Sequence, residues 1–136
     1  MKYDLFVLQM KMLKSYEDSV IDIEQEIDDI CYQYLGVRGI SYDKQPSTTN
    51  EAAQMDLRLK LSEALSEPQK QLDFTILAIN QLKPVVYGNI SKLPNEIQRA
   101  VKMLFWEHMT YEDVGKEMGY SDHGIWIKVR REIEKI

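Results

Sequence analysis

The stretch that most restricts how this chain can fold runs from Thr110 to Ile125: Thr-Tyr-Glu-Asp-Val-Gly-Lys-Glu-Met-Gly-Tyr-Ser-Asp-His-Gly-Ile. It carries the punctuation of two helices that share one tight corner. Thr110 is placed to cap the first helix, and Asp113, three residues on, sits where a short capping-box acid belongs. Val114 and Met118 lie one turn apart and face inward. Gly115 is small where a second helix must cross the first closely. Gly119 follows the last helical residue and can take the left-handed conformation that stops the helix. Ser121 then caps a second helix, with Ile125 as its first inward apolar residue. Order and spacing together predict a helix-turn-helix, a corner that usually sets its second helix in the major groove of DNA.

The N-terminal third carries a different pattern. Phe6, Leu13, Val20, Ile27 and Tyr34 recur every seven residues, and Tyr16, Ile23 and Ile30 fall three residues after Leu13, Val20 and Ile27. Only Gln9 interrupts the interleaved set. This is an a/d seam over about four heptads, with most of the acids off it, and it predicts one long helix ending near Leu35-Gly36. Such a seam serves either a helical hairpin within one chain or self-association. For the second use the candidates are Leu13, Tyr16, Val20, Ile23, Ile27, Ile30 and Tyr34.

Residues 36 to 50 lack apolar periodicity and read as a connector. Gly36-Val37-Arg38-Gly39 echoes the phosphate-clamping glycine pair of some RNA-binding modules, but no alternating strands surround it and a turn is the expectation. Thr48 and Glu51 form a candidate capping box for a second long helix. Pro68 either starts a new helix there or kinks a continuous one. Leu72, Ile76, Ile79 and Leu82 give the apolar face, and Pro84 and Gly88 are expected to break it up. Leu93-Pro94-Asn95 then opens a helix from about Asn95 to Trp106, with Ile97, Val101, Leu104 and Phe105 inward. The expected class is all-α. Residues 1–90 form a helical arm (helices about 2–35 and 51–83, loop 36–50), and residues 91–136 a three-helix domain holding the corner.

Composition bounds the function. With 44% hydrophobic and 29% charged residues the 136-residue chain is an ordinary globular protein. No apolar run approaches the roughly 20 residues that span a bilayer. The first ten residues make a poor signal peptide, and the single cysteine, Cys31, has no internal partner; the expected compartment is the cytoplasm. Net charge is −5, and residues 91–136 hold eight basic and eight acidic residues, so the whole −5 sits in residues 1–90. That footprint is weak for a DNA-binding domain, and a lone copy is expected to bind weakly. His108 and His123, with Cys31, Glu107 and Glu112, match no zinc spacing. No nucleophile-base set or phosphate-binding glycine loop is present, so neither enzyme nor cofactor is expected.

Leu93-Pro94, an amphipathic helix, Thr110 to Gly115 and then Met118-Gly119-Tyr120-Ser121 resemble the fourth region of bacterial primary sigma factors, which reads the promoter −35 element. The layout of a long heptad helix, a polar loop, a second long helix and this module is similar to small late-transcription regulators of Gram-positive prophages, of the RinA and autolysin-regulatory (ArpU) type. The module resemblance covers about residues 93–136; over residues 1–92 it rests on layout and length. It implies a non-enzymatic transcriptional activator acting on phage late promoters. By family position Asp122, His123 and Trp126 are candidates for base contact, and Lys128, Arg130 and Arg131 for phosphate contact. Ser121 at the cap and Ile127 on the outward face complete the expected DNA-binding set, since Ile125, Val129, Ile133 and Ile136 form the inward stripe.

The leading expectation is thus a sequence-specific DNA-binding regulator that works on double-stranded promoter or operator DNA, as a homodimer or recruited to RNA polymerase. The rival is a helical interaction module, a polymerase modulator or an antagonist of a host protein, whose corner no longer reads DNA. Low basicity, Gly124 early in the reading helix, and Trp126 favour the rival; the intact corner favours the first.

Overall fold

A computed structural model describes residues 1–36 and 51–136, and every regular element among them is an α-helix. The expected capping box at Thr48 and the Gly36-to-Gly39 turn lie, wholly or in part, outside the described residues. The helices are α1 (Tyr3–Leu35), α2 (Glu51–Ser91), α3 (Asn95–Phe105), α4 (Tyr111–Met118) and α5 (Asp122–Glu134). Helix α1 stops where the sequence places the stop. Gly36 takes a φ of 69° and its N–H donates to the Tyr32 carbonyl at 2.7 Å, a conformation open to glycine at little cost.

Helix α2 departs from expectation. It runs unbroken through Pro68, Pro84 and Gly88 to Ser91, rather than ending near residue 83. A proline inside a helix costs about 3 kcal/mol and a glycine about 1. Beyond Pro84 the helix carries Val86 and Ile90, both almost fully buried. Each such side chain contributes about 1.5–3 kcal/mol, enough to hold the last turns helical against the local preference. Pro84 itself faces solvent, where water can satisfy the carbonyl that its missing N–H leaves free.

The chain divides into two compact units. One comprises Glu17–Ala78, the distal part of α1 and the proximal part of α2. Ile23, Cys31, Pro68 and Thr75 are buried there, and the Thr75 hydroxyl donates back to the Gln71 carbonyl at 2.7 Å. Burial, and then the nearby Asp28 charge, raise the Cys31 thiol above its ordinary pKa, so this cysteine behaves as a small apolar residue.

The other unit comprises Met1–Tyr16 and Ile79–Ile136. It is larger than the expected 91–136 domain, because the first turns of α1 and the last turns of α2 share its core. Phe6, Met10 and Leu13 of α1, Val86 and Ile90 of α2, Leu93, and Ile97, Ala100, Val101 and Met103 of α3 form one cluster with Val114, Ile125, Val129 and Ile133. Gln9, the one polar interruption of the seam, accepts a hydrogen bond from the Asn89 amide at 3.2 Å. A polar pair of this kind fixes which residues of two apolar helices lie side by side. Tyr87 and Trp106 stack with ring centroids 5.9 Å apart.

Candidate nucleic-acid interface

The corner is built as its spacing predicts. The Thr110 hydroxyl accepts from the Asp113 N–H at 3.2 Å and the Asp113 carboxylate accepts from the Thr110 N–H at 3.4 Å, a complete capping box on α4. Gly119 closes α4 at φ 79°. The Ser121 hydroxyl accepts from the Gly124 N–H at 3.0 Å and starts α5. A side chain on Gly115 would place its Cβ 2.6 Å from the Tyr120 carbonyl oxygen and 3.1 Å from that of Ser121. Here the backbone of the turn passes directly over α4, and only glycine leaves room. Replacing Thr110 with Ala is expected to cost about 1 kcal/mol, the usual worth of an N-cap hydroxyl, read from the midpoint of a denaturant melt. A change smaller than a few tenths would mean that water caps α4 equally well.

Gly124, which the sequence offers as a missing reader, has a local cause. A Cβ there would come within 2.8 Å of the Ser121 hydroxyl, so the cap and the glycine go together. The inward stripe is Ile125, Val129 and Ile133, all fully buried, with Ile136 half-buried against the same core. At 100° per residue the opposite face is centred on Gly124, Ile127 and Arg131.

The eight expected contact residues differ in how freely they stand. Ser121, Asp122 and His123 form the exposed tip. The Ser121 hydroxyl is engaged by the cap, and an Asp122 carboxylate oxygen accepts the His123 N–H at 2.8 Å. His123 stacks on Trp126, ring centroids 5.9 Å apart and 19° from parallel. Arg130 lies over Trp126, 5.2 Å from its ring centroid, and over Tyr3, 5.6 Å from its centroid, while its Nε donates to Glu134 at 3.1 Å. The Tyr3 hydroxyl is in turn hydrogen-bonded to that of Tyr111. Burial first, and then this bond, raise the Tyr111 phenol well above its ordinary pKa, so it stays a neutral tie between α1 and α4.

Lys128 is held on the opposite flank of α5. Its ammonium donates to the Tyr120 hydroxyl at 2.9 Å, lies 3.4 Å from the Glu96 carboxylate and sits 5.0 Å from the Tyr120 ring centroid. Tyr120 completes the triangle by donating to Glu96 at 2.8 Å. The bond to Tyr120, reinforced by the Glu96 charge, raises the Lys128 pKa. The Tyr120 bond and the Lys128 charge together lower that of Glu96. Both partners therefore stay ionised at neutral pH and neutralise one another. Lys135 is likewise paired, with Glu132 at 3.0 Å. Arg131 alone among the cations of α5 has no carboxylate partner among the described residues.

The structure thus brings all eight expected residues onto one helix and its cap, but not to one role. Trp126 and Lys128 lie on the flanks and are engaged by their own protein, and Arg130 is braced by Tyr3, Trp126 and Glu134. Tyr3, Glu96, Tyr111 and Tyr120, which hold these residues, escape a sequence reading because their partners are distant in the chain. Among the expected self-association residues, Leu13 is spent in the core beside Phe6 and Met10, and Ile23 is buried; Tyr16, Val20, Ile27, Ile30 and Tyr34 remain half-exposed. Among the described residues no helix is long and apolar enough to cross a membrane. Comparison with protein-family models, with curated proteins and with solved structures finds no match to this chain.

Proposed function

We propose that this chain is a sequence-specific DNA-binding transcriptional regulator, of the phage late-gene activator type, that presents α5 to the major groove of promoter or operator DNA. The observation that carries this reading is the corner itself. A capping box, a left-handed glycine, a second N-cap and a glycine at the crossing point fix α4 and α5 as one rigid piece with the tip of α5 exposed. Recognition helices meet base edges with their N-terminal residues, and here those are Ser121, Asp122 and His123.

Internal neutralisation of Lys128, Arg130 and Lys135 leaves little charge for phosphates, and phosphate contacts dominate affinity. A lone copy is therefore a weak binder, and a second copy or RNA polymerase supplies the rest. Capture and sequencing of DNA bound to the tagged chain in cells tests the reading, with one reproducibly enriched site as the expected result. Arg131→Gln is expected to lower the slope of log affinity against log salt by about one unit on every sequence. His123→Ala is expected to reduce cognate-over-scrambled discrimination by about 1–3 kcal/mol at nearly unchanged slope.

A second reading, a helical interaction module, draws on the same braced side chains, because Trp and Arg held against one another are favoured at protein interfaces. It prevails if no DNA is enriched and Trp126→Ala abolishes capture of a protein partner such as RNA polymerase.

A further inference from the structure

Of the side chains that α5 turns outward, one is in a position that its own fold does not explain. Ile127 is half-buried, yet among the described residues it neither belongs to the core nor packs against it. It stands in the second turn of α5, on the face opposite Ile125, Val129 and Ile133. One turn before it Gly124 has no side chain to add cover on the side of the tip. One turn after it stands Arg131, the cation with no carboxylate partner among the described residues. Both flanks are occupied: His123, Trp126 and Arg130 stack on one side, and Lys128 is tied to Tyr120 and Glu96 on the other. The centre of the reading face is therefore apolar and its rim is braced.

Resting on the DNA-binding reading above, we infer that Ile127 is a specificity-determining residue that packs on the C5-methyl group of a thymine. The major-groove edges of the four base pairs present hydrogen-bond donors and acceptors, and a single kind of apolar group, the thymine methyl. A branched aliphatic side chain with no hydrogen-bonding capacity can discriminate only through that group. Arg131, four residues on and on the same face, adds the attraction to the adjacent phosphate that keeps the contact seated.

The test uses the full chain and duplexes enriched by it from a random pool, with each thymine of the enriched site replaced singly by uracil, which removes only the methyl group. Burial of one carbon group corresponds to about a fourfold change in affinity. The wild type is expected to bind about fourfold more weakly when one particular thymine is replaced, Ile127→Val to keep that sensitivity, and Ile127→Ala to lose it. Since Ile127 lies outside the core, Ile127→Ala is expected to melt within a few degrees of the wild type, which separates lost reading from lost folding. Uracil sensitivity that persists in Ile127→Ala, or enriched sites at which no thymine methyl matters, overturns the inference while leaving DNA binding in place. Failure to enrich any sequence overturns the DNA-binding reading, and this inference with it.

Discussion

Replacing Phe6 with Ala is expected to destabilise the corner, a hundred residues away in sequence, by about 3–5 kcal/mol. Phe6 is 1% exposed and shares one cluster with Ile97, Val101, Val114, Ile125 and Val129. Its loss opens a hole in the cluster that it shares with residues of α3, α4 and α5. Amide exchange at Val101, Val114 and Val129 is therefore expected to quicken together with that at Met10, and the unit Met1–Tyr16 plus Ile79–Ile136 to melt in one transition. The measurement distinguishes this unit from a free-standing domain of residues 91–136. If the α3–α5 amides keep their protection while α1 loses its own, the first turns of α1 are an accessory to the corner and not part of its core. Small domains have little stability to spare, and a loss of this size would leave much of the protein unfolded at 37 °C.

How far the sequence reaches follows from the range of the interactions involved. The corner is legible because each of its constraints closes within five residues: Thr110 with Asp113, Gly119 with the end of α4, Ser121 with Gly124. Helix α1 is legible for the same reason, since its seam is periodic and Gly36 stops it. The seam also shows that Phe6 and Leu13 are covered, but periodicity carries no address, and the cover turns out to include helices from the other end of the chain. Pro84 and Gly88 mislead because propensity is local, and the burial of Val86 and Ile90 outweighs it. The state of the reading helix was illegible for a related reason. Whether Lys128 is free for a phosphate depends on Glu96, which no spacing rule connects to it; Arg130 is paired with Glu134, four residues on and within reach of such a rule, but its contact with Tyr3 is not. Gly124 resembles a lost reader until the Ser121 hydroxyl beneath it is located.

Two glycines at the corner are expected to fail in different ways, and the difference tests the turn directly. At Gly119 there is open space around the missing Cβ, and the difficulty is the backbone, at φ 79°. Gly119→Ala should cost about 1–2 kcal/mol, the ordinary penalty of the left-handed region, and Gly119→Asn should recover part of it, because asparagine tolerates that conformation. Gly115 is helical, and its difficulty is the Tyr120 carbonyl oxygen 2.6 Å from the site of a Cβ. That oxygen is backbone, so it cannot swing aside as a side chain would. Gly115→Ala is expected to cost about 2–3 kcal/mol, as overpacking against an unyielding neighbour does, with a melting midpoint lower by roughly 10 °C or more for a unit of this size. Asparagine should be no better than alanine there, since any Cβ meets the same oxygen. Because relief requires the turn to lift from α4, the tip of α5 moves with it, and cognate discrimination should fall further than stability alone explains. A Gly115→Ala protein with an unchanged melting midpoint would mean that the turn stands farther from α4 than described, and that the corner is not the rigid piece on which DNA reading depends.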